Sequence, residues 1–403
     1  MAESPPTVDD ETFDGADAVA RLAADLAATA PLAGALETVP RVAPLGGNRV
    51  DGEAGDGFDA LERLLTRLAR ELGLPPLRLV PEPQGLTAPE LAISGRLALG
   101  ALLEQEAGVV DTDDDHLSRA AARVARPCPR LAHSRDGSPI HCYEAGPTDA
   151  PAVVLVTACG MPVSLVRRWM AELGDRFRVL TWESRGLFAP DPGFDLRGHD
   201  VAAQAEDLYA VLDTFGVEAA HVMGLCGGAA VALAAAPSPR VRSLSLWHGD
   251  YELGDEAPKT EHQQDVQSLM VMAGERRERA ANLHKILRRP NTLDKLRADM
   301  AHELIYPYAT AELLHRYGRL NGAIMTTDCR PLLAGVHQPT LVVTSDADTT
   351  AHPAGSALVA ERIPGARLRT PARGDHLSAF DAAPAAIALA RAFMDEVGFE
   401  GGM

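Results

Sequence analysis

Cys226 is the residue of this 403-residue chain best placed for covalent chemistry. It lies in "HVMGLCGGAAVALAAA", residues 221–236, where an apolar run meets an alanine-rich stretch that reads as helix. Gly224-Leu225-Cys226-Gly227-Gly228 is a G-x-Nuc-x-G pattern. A turn of this kind holds its central residue in a strained backbone conformation, which demands small neighbours. The N-terminus of the following helix points at the side chain and favours negative charge there, which suits a thiolate. A small buried cysteine at a tight strand–helix crossing carries the same pattern. A nucleotide loop fits poorly: no G-x-G-x-x-G follows an early strand and no GK[ST] occurs. If the thiol is a nucleophile, it needs a base, and the base needs an orienting carboxylate.

The elements that must hold such a constellation begin after about residue 128. "RLAHSRDGSPIHCYEAG" reads as a hairpin around Asp136-Gly137. Strands are expected at "AVVLVTA", "FRVLTWE", "AAHVMGL", "VRSLSLW", "PTLVVTS" and "ARLRTP". Helices are expected at "SLVRRWMAELG", "DVAAQAEDLYAVLDTFG", "GGAAVALAAA" and "APAAIALARAFMDEVG". Strands alternating with helices imply a mostly parallel sheet covered on both faces. Residues 251–325 break the rhythm, and are expected to form a helical cap inserted into a core of 128–250 and 326–403.

Residues 1–127 have another texture. Up to Arg130 there are 22 Asp and Glu against 12 Arg, which accounts for ten of the net −18 charge. "GFDALERLLTRLARELG" puts Phe58, Leu61, Leu64, Leu65, Leu68 and Leu72 on one helical face, with Gly73 as cap and Pro75-Pro76 beyond. "ADAVARLAADLAATAPLAGAL" and "APELAISGRLALGALLEQEAG" read as further helices. Residues 40–57 and 75–88 read as linkers. This region is a candidate for scaffold, partner recruitment or homodimer contact.

Composition sets other bounds. The acidic balance disfavours nucleic acid. No apolar run is long enough for a bilayer, so no membrane partner is expected. The acidic "MAESPPTVDDETFDGADAV" lacks the basic start and apolar core of a secretory signal, pointing to the cytoplasm. Cys128, Cys142, Cys159, Cys226 and Cys329 are scattered and never form CxxC, which argues against disulfides and a structural metal site. No cofactor motif stands out.

The order of these motifs from about residue 130 to 398 resembles the α/β-hydrolase superfamily. The turn at Cys226 resembles that family's nucleophile elbow, where most members carry serine. Cysteine members include dienelactone hydrolases and some thioesterases of natural-product assembly lines. The resemblance implies the fold: a mostly parallel sheet with helices on both faces, a helical cap and, here, a helical N-terminal extension.

It also implies roles. His376, in "TPARGDHLSAF", stands at the position of the family's catalytic histidine. "PTLVVTSDADTTAHP" resembles the stretch bearing the acid, which puts Asp348 in that role; Asp250, in "SLSLWHGDY", is the alternative acid. The other histidines fall at no family catalytic position. Gly227 and, from "VVLVTACGMP", Met161 would donate the amides of an oxyanion hole. Cys159, Gly160, Leu225 and Trp247 are expected on the substrate side. A disulfide between Cys159 and Cys226 is conceivable on oxidation if the two are close. Arg185, in "LTWESRGLFAP", is expected to pair with carboxylates and fix its loop.

A cysteine nucleophile gives a thioester intermediate, whose acyl group stays activated towards water, an amine or an alcohol. That favours a thioesterase or acyltransferase acting on a small-molecule acyl substrate, free or held on a carrier protein or coenzyme A, in specialised metabolism. A lyase or cyclase using the pocket for proton transfer without acylation is the alternative. A basic island, "GERRERAANLHKILRRPNTLDKLR", could attract a phosphate or an acidic carrier, with Lys285, Arg288 and Arg289 as candidates.

Overall fold

The computed structural model describes residues 15–45, 56–104, 114–124, 128–371 and 374–398. The chain divides into two compact units. One comprises residues up to Arg126 together with Arg288–Ile305, the other Pro127–Leu287 and Tyr306–Met403.

The first unit is built from helices α1 (Gly15–Ala35), α2 (Asp56–Glu71), α3 (Ala88–Leu97), α4 (Leu99–Glu104) and α5 (Asp114–Arg123). The apolar stripe of α2 is buried at Leu61, Leu64, Leu65, Leu68 and Leu72. Gly73 closes that helix with φ 59°, and the Leu74 N–H donates back to Ala69 O at 2.8 Å. Such a left-handed close is what glycine allows at low cost. The third helical stretch is not continuous: Ala98 adopts φ 48° and separates α3 from α4. The linkers carry a short parallel pair, β1 (Arg41–Val42) with β2 (Arg78–Leu79). The Arg41 guanidinium clamps Glu90 at 2.9 Å on both carboxylate oxygens. Residues 1–14 and 46–55, which include the acidic start and most of the first linker, lie outside the described residues. From the second segment, the short helix Ala301–Leu304 packs on α1 and α3. Residues 288–305 thus fold with the N-terminal helices, although they sit within the stretch expected as cap.

The second unit is organised by an eight-stranded sheet. Its strands are β3 (Arg130–His133), β4 (Pro139–Ala145), β5 (Ala152–Val156), β6 (Arg178–Trp182), β7 (Ala220–Leu225), β8 (Val241–Trp247), β9 (Thr340–Val343) and β10 (Arg367–Arg369). Their order is β10-β9-β8-β7-β5-β6-β4-β3. β4 runs antiparallel to β3 and to β6; the other pairs are parallel. β5, β7 and β9 are buried at every residue, because parallel strands linked through helices are covered on both faces. The covering helices include α6 (Arg167–Gly174), α7 (Val201–Thr214) and α8 (Gly228–Ala235).

Between β8 and β9 the chain forms α9 (Glu261–Glu275), α10 (Arg277–Leu287) and α11 (Ala311–Thr326). α9 and α11 approach backbone to backbone: a Cβ on Gly318 would lie 2.5 Å from Gly274 N. α12 (Pro353–Arg362) and α13 (Pro384–Val397) complete the unit. This topology brings the residues after β5, β6, β7, β8, β9 and β10 to one edge of the sheet. In open parallel sheets that edge is where ligands bind.

Candidate active site

The turn after β7 explains its own glycines. A Cβ on Gly224 would meet Ala229 Cα at 2.6 Å, and one on Gly228 would meet Val156 O at 2.1 Å. Only glycine lets α8 start this close to β7 and β5. Cys226 between them has φ 54°, a left-handed conformation that costs a non-glycine residue roughly 1–2 kcal/mol. The surrounding backbone enforces it. The Cys226 N–H donates to Trp247 O at 3.0 Å, and Cys226 O accepts from Ala229 at 3.0 Å and Asp250 at 3.4 Å. The sulfur-bearing residue is half-buried at the start of α8.

His376 lies in a 3-10 turn, His376–Ala379, capped by Asp375. The Trp169 indole fixes that turn by donating to Ala379 O at 2.7 Å. His376 Nδ1 is 2.9 Å from Asp348 Oδ2. Asp348 follows β9 in a turn in which Asp348 N–H donates to Ser345 O at 3.1 Å, and the exposed Asp346 stands aside. Asp348 Oδ1 accepts the amides of Thr350 and Ala351 at 2.9 and 2.8 Å. Burial pushes this carboxyl up, but the donors from His248, His376 and Ala351 outweigh it and hold it well below the usual carboxylate range. It is therefore ionised and receives Nδ1–H.

The other face of His376 meets Cys226. Burial disfavours a charged ring, yet Cys226 and the Asp348 carboxylate outweigh it and hold the His376 proton well above the ordinary histidine range. Nε2 itself is buried. The Cys226 sulfur faces the ring, and its charge and a hydrogen bond to it both favour the protonated imidazole.

Asp250, the alternative acid, is differently engaged. Its Oδ1 accepts from Gln263 Nε2 at 2.7 Å. Burial raises its carboxyl, with Gln263 and the charge of His376 opposing. Of the two candidate acids, Asp348 is the one bonded to His376.

The loop after β5 is held from β6. Ser184 Oγ accepts the Gly160 N–H at 2.9 Å, and Glu183 Oε1 accepts the Val163 N–H at 3.0 Å. Gly160 has φ 78°, and a Cβ there would meet Tyr317 Cδ2 at 2.7 Å. The Met161 N–H makes only a long turn bond, 3.3 Å, to Ala158 O. Among the described residues, no protein acceptor is bonded to the Gly227 N–H. α11 adds residues that sequence reading did not anticipate. Tyr317 packs on Gly160, and Ile324 Cγ2 and Asn321 Oδ1 come to 3.4 and 3.7 Å of a Cβ built on Gly227.

Some expected substrate-side residues turn elsewhere. Leu225 is wholly buried in the sheet opposite Trp247, because successive strand residues alternate faces. Trp247 is also core, edge-on to Trp169 with centroids 5.3 Å apart. Cys159 lines a small cavity of about 20 Å³ with Thr157, Ser184 and Arg185. Burial pushes its thiol up to about 12, with the nearby Cys226 adding to the shift. Arg185 is buried and forked onto Asp207, with Nε 2.9 Å from Oδ2 and Nη1 2.7 Å from Asp136. It fixes the loop after β6.

The basic island is neutralised in part. Arg277 pairs with Glu312 and Asp195, Arg279 with Glu275, and Arg297 with Asp299. Lys285 lies on α10 and bonds Asn282 at 3.3 Å. Arg288 and Arg289 belong to the other compact unit, where Arg288 O accepts the Ala88 N–H at 2.8 Å.

His248 is the site residue that sequence reading missed. Its Nδ1 lies 3.0 Å from Asp348 Oδ2. The only signal was its place directly after β8, beside Asp250. Among the described residues, no helix is long and apolar enough to cross a membrane.

No protein-family model matches the chain. The 3-oxoadipate enol-lactonase 1 of Acinetobacter baylyi is 24% identical over 217 residues, covering 53% of this chain and 78% of that protein. The solved enol-lactonase from Burkholderia xenovorans LB400 superposes with TM-score 0.52 at 23% identity, covering 66% of this chain and 99% of its own. A hydrolase from Pseudomonas aeruginosa PA01 gives TM-score 0.50 at 25% identity, with 66% and 97% covered. With the eight-stranded, mostly parallel sheet and its covering helices, these likenesses establish that the chain has the α/β-hydrolase fold.

Proposed function

We propose that this protein hydrolyses or transfers acyl groups through a covalent acyl-cysteine at Cys226, acting on activated acyl compounds such as carrier-protein or coenzyme A thioesters. One observation carries the reading. His376 is tied through Nδ1 to Asp348, while its buried Nε2 side faces Cys226, whose charge and hydrogen bond hold the ring proton. That contact is the one through which sulfur and imidazole can exchange a proton.

The steps follow from the geometry. With the shared proton on His376 Nε2, the Cys226 thiolate attacks the acyl carbonyl. The oxygen gains the negative charge and is met by the Gly227 N–H and by the Met161 N–H, whose long bond to Ala158 O is readily exchanged. The C–S or C–O bond to the leaving group breaks, and His376 hands its proton to the departing atom. The acyl-enzyme is a thioester. Water or another acceptor attacks it, loses a proton to His376, and releases the Cys226 sulfur. The enol-lactonases that resemble this chain are named for an activated ester, whose leaving group needs little assistance. That supports an activated acyl donor over an amide.

The test is mass spectrometry after mixing with a panel of acyl-thioesters. The expected result is the acyl mass on Cys226 in a His376→Ala variant, where release is slowed. Turnover that survives Cys226→Ala overturns the proposal and favours proton transfer in the pocket without acylation.

A further inference from the structure

The edge of the sheet carries a second imidazole that the reaction above leaves unused. His248 directly follows β8, is buried and adopts φ 47°. A histidine in this left-handed region is uncommon and persists only where its surroundings dictate it. Its N–H donates to Val343 O at 2.7 Å, which ties it to the end of β9, five residues before Asp348. Its Nδ1 reaches Asp348 Oδ2 at 3.0 Å, the same oxygen that His376 Nδ1 meets at 2.9 Å. The two rings stand edge-on, with centroids 6.0 Å apart and planes at 84°.

Asp348 therefore meets four donors: two imidazoles on Oδ2, and the Thr350 and Ala351 amides on Oδ1. An ionised carboxylate accepts and cannot donate, so both rings present Nδ1–H to it. Two hydrogen bonds account for the close approach of these three side chains without an ion between them. Among the described residues, the groups facing His376 are Asp348 at Nδ1, Cys226 on the Nε2 side, Asp250 within electrostatic reach and the Phe380 ring beside it. His248 also meets the His376 ring edge-on, and shares Asp348 Oδ2 with it.

We propose that His248 is a positioning residue: by donating to Asp348 Oδ2 it fixes the carboxylate and draws part of its charge away from His376. The proposal rests on the Cys226–His376–Asp348 reading. A carboxylate oxygen shared by two donors bonds each more weakly than it would bond one. With His248 in place, His376 is oriented firmly yet held less tightly, and releases its proton more readily.

The experiment follows the rate of Cys226 alkylation by iodoacetamide from pH 5 to 10. The alkaline inflection reports loss of the His376 proton. His248→Leu removes the donor and leaves His376 the undivided carboxylate, so the inflection moves up by about half to one pH unit. His248→Asn keeps an N–H donor near the same place, tolerates positive φ and retains the original profile. A folded His248→Leu variant whose profile superimposes on the unaltered protein overturns the proposal. Should that variant not fold, proton NMR of the unaltered protein decides. Two low-field Nδ1–H resonances that both move in Asp348→Asn support the shared oxygen; a single such resonance overturns it. A Cys226 profile that is unchanged in His376→Gln instead refutes the triad reading, and the two resonances still decide the role of His248.

Discussion

Neighbouring glycines at the start of α8 are predicted to respond in opposite ways to the same methyl group. In Gly228→Ala the new Cβ lands 2.1 Å from Val156 O and 2.7 Å from Thr157 O. Both are backbone atoms of the central strand and its continuation, so no side chain can rotate aside. Strand and helix must separate by roughly 1 Å, and such overpacking costs about 3 kcal/mol, the upper part of the usual range. For a unit of this size that lowers the unfolding midpoint by several degrees, at roughly 2–4 °C per kcal/mol. The displaced helix also carries Cys226 and the Gly227 amide away from His376. A misplacement of about 1 Å reduces turnover on the order of 100-fold. In Gly227→Ala the nearest atom is Ile324 Cγ2 at 3.4 Å, and φ −58°, ψ −24° suits alanine. Its stability should change by less than about 1 kcal/mol. Thermal unfolding of both variants, with turnover of one acyl-thioester, checks the pair. Equal stability of Gly228→Ala and the unaltered protein, or equal loss in both variants, would refute the argument from close backbone approach.

Three further outcomes follow from the same geometry. Asp348→Asn should lower turnover on the order of 10³-fold by removing the charge behind His376, while Asp250→Asn, whose carboxyl bonds Gln263, should lower it less than tenfold; the reverse ranking in steady-state assays would make Asp250 the acid. Arg185→Ala leaves Asp207 buried and unpaired, a loss of about 3–5 kcal/mol read by urea unfolding, and a loss under 1 kcal/mol would contradict the pinning role of this pair. His376 is held above its ordinary range, so its contribution to stability is whole below about pH 6.5 and fades as pH rises through the raised value. Unfolding measured from pH 6 to 10 should lose a component on the alkaline side that His376→Gln lacks, and parallel curves would count against it.

The turn at Cys226 was legible because backbone approach dictates its glycines, and backbone requirements leave a local signature. The strand alternation was legible for the same reason: β5, β7 and β9 are buried on both faces and read as unbroken apolar runs. His376 and Asp348 needed the family's motif order, since each alone is an ordinary loop residue. His248 stayed hidden because its meaning depends on β8 lying beside β9, a pairing across 100 residues of sequence. The break at Ala98 was equally hidden, because alanine is the best helix former and carries no local stop signal. Residues 288–305 read as part of a charged insertion, and only their packing on α1 and α3 assigns them to the N-terminal unit.

Proton exchange between Cys226 and His376 is read out most directly by selective alkylation. The protein is treated with iodoacetamide at pH 6, and each cysteine is followed by peptide mass. Burial pushes the thiols of Cys142, Cys159 and Cys329 up to about 12, so these three should stay unmodified. Cys226 is predicted to react faster than the exposed Cys128 and to lose that advantage in His376→Gln. A Cys226 that reacts no faster than Cys128, or reacts equally well without His376, would contradict the account.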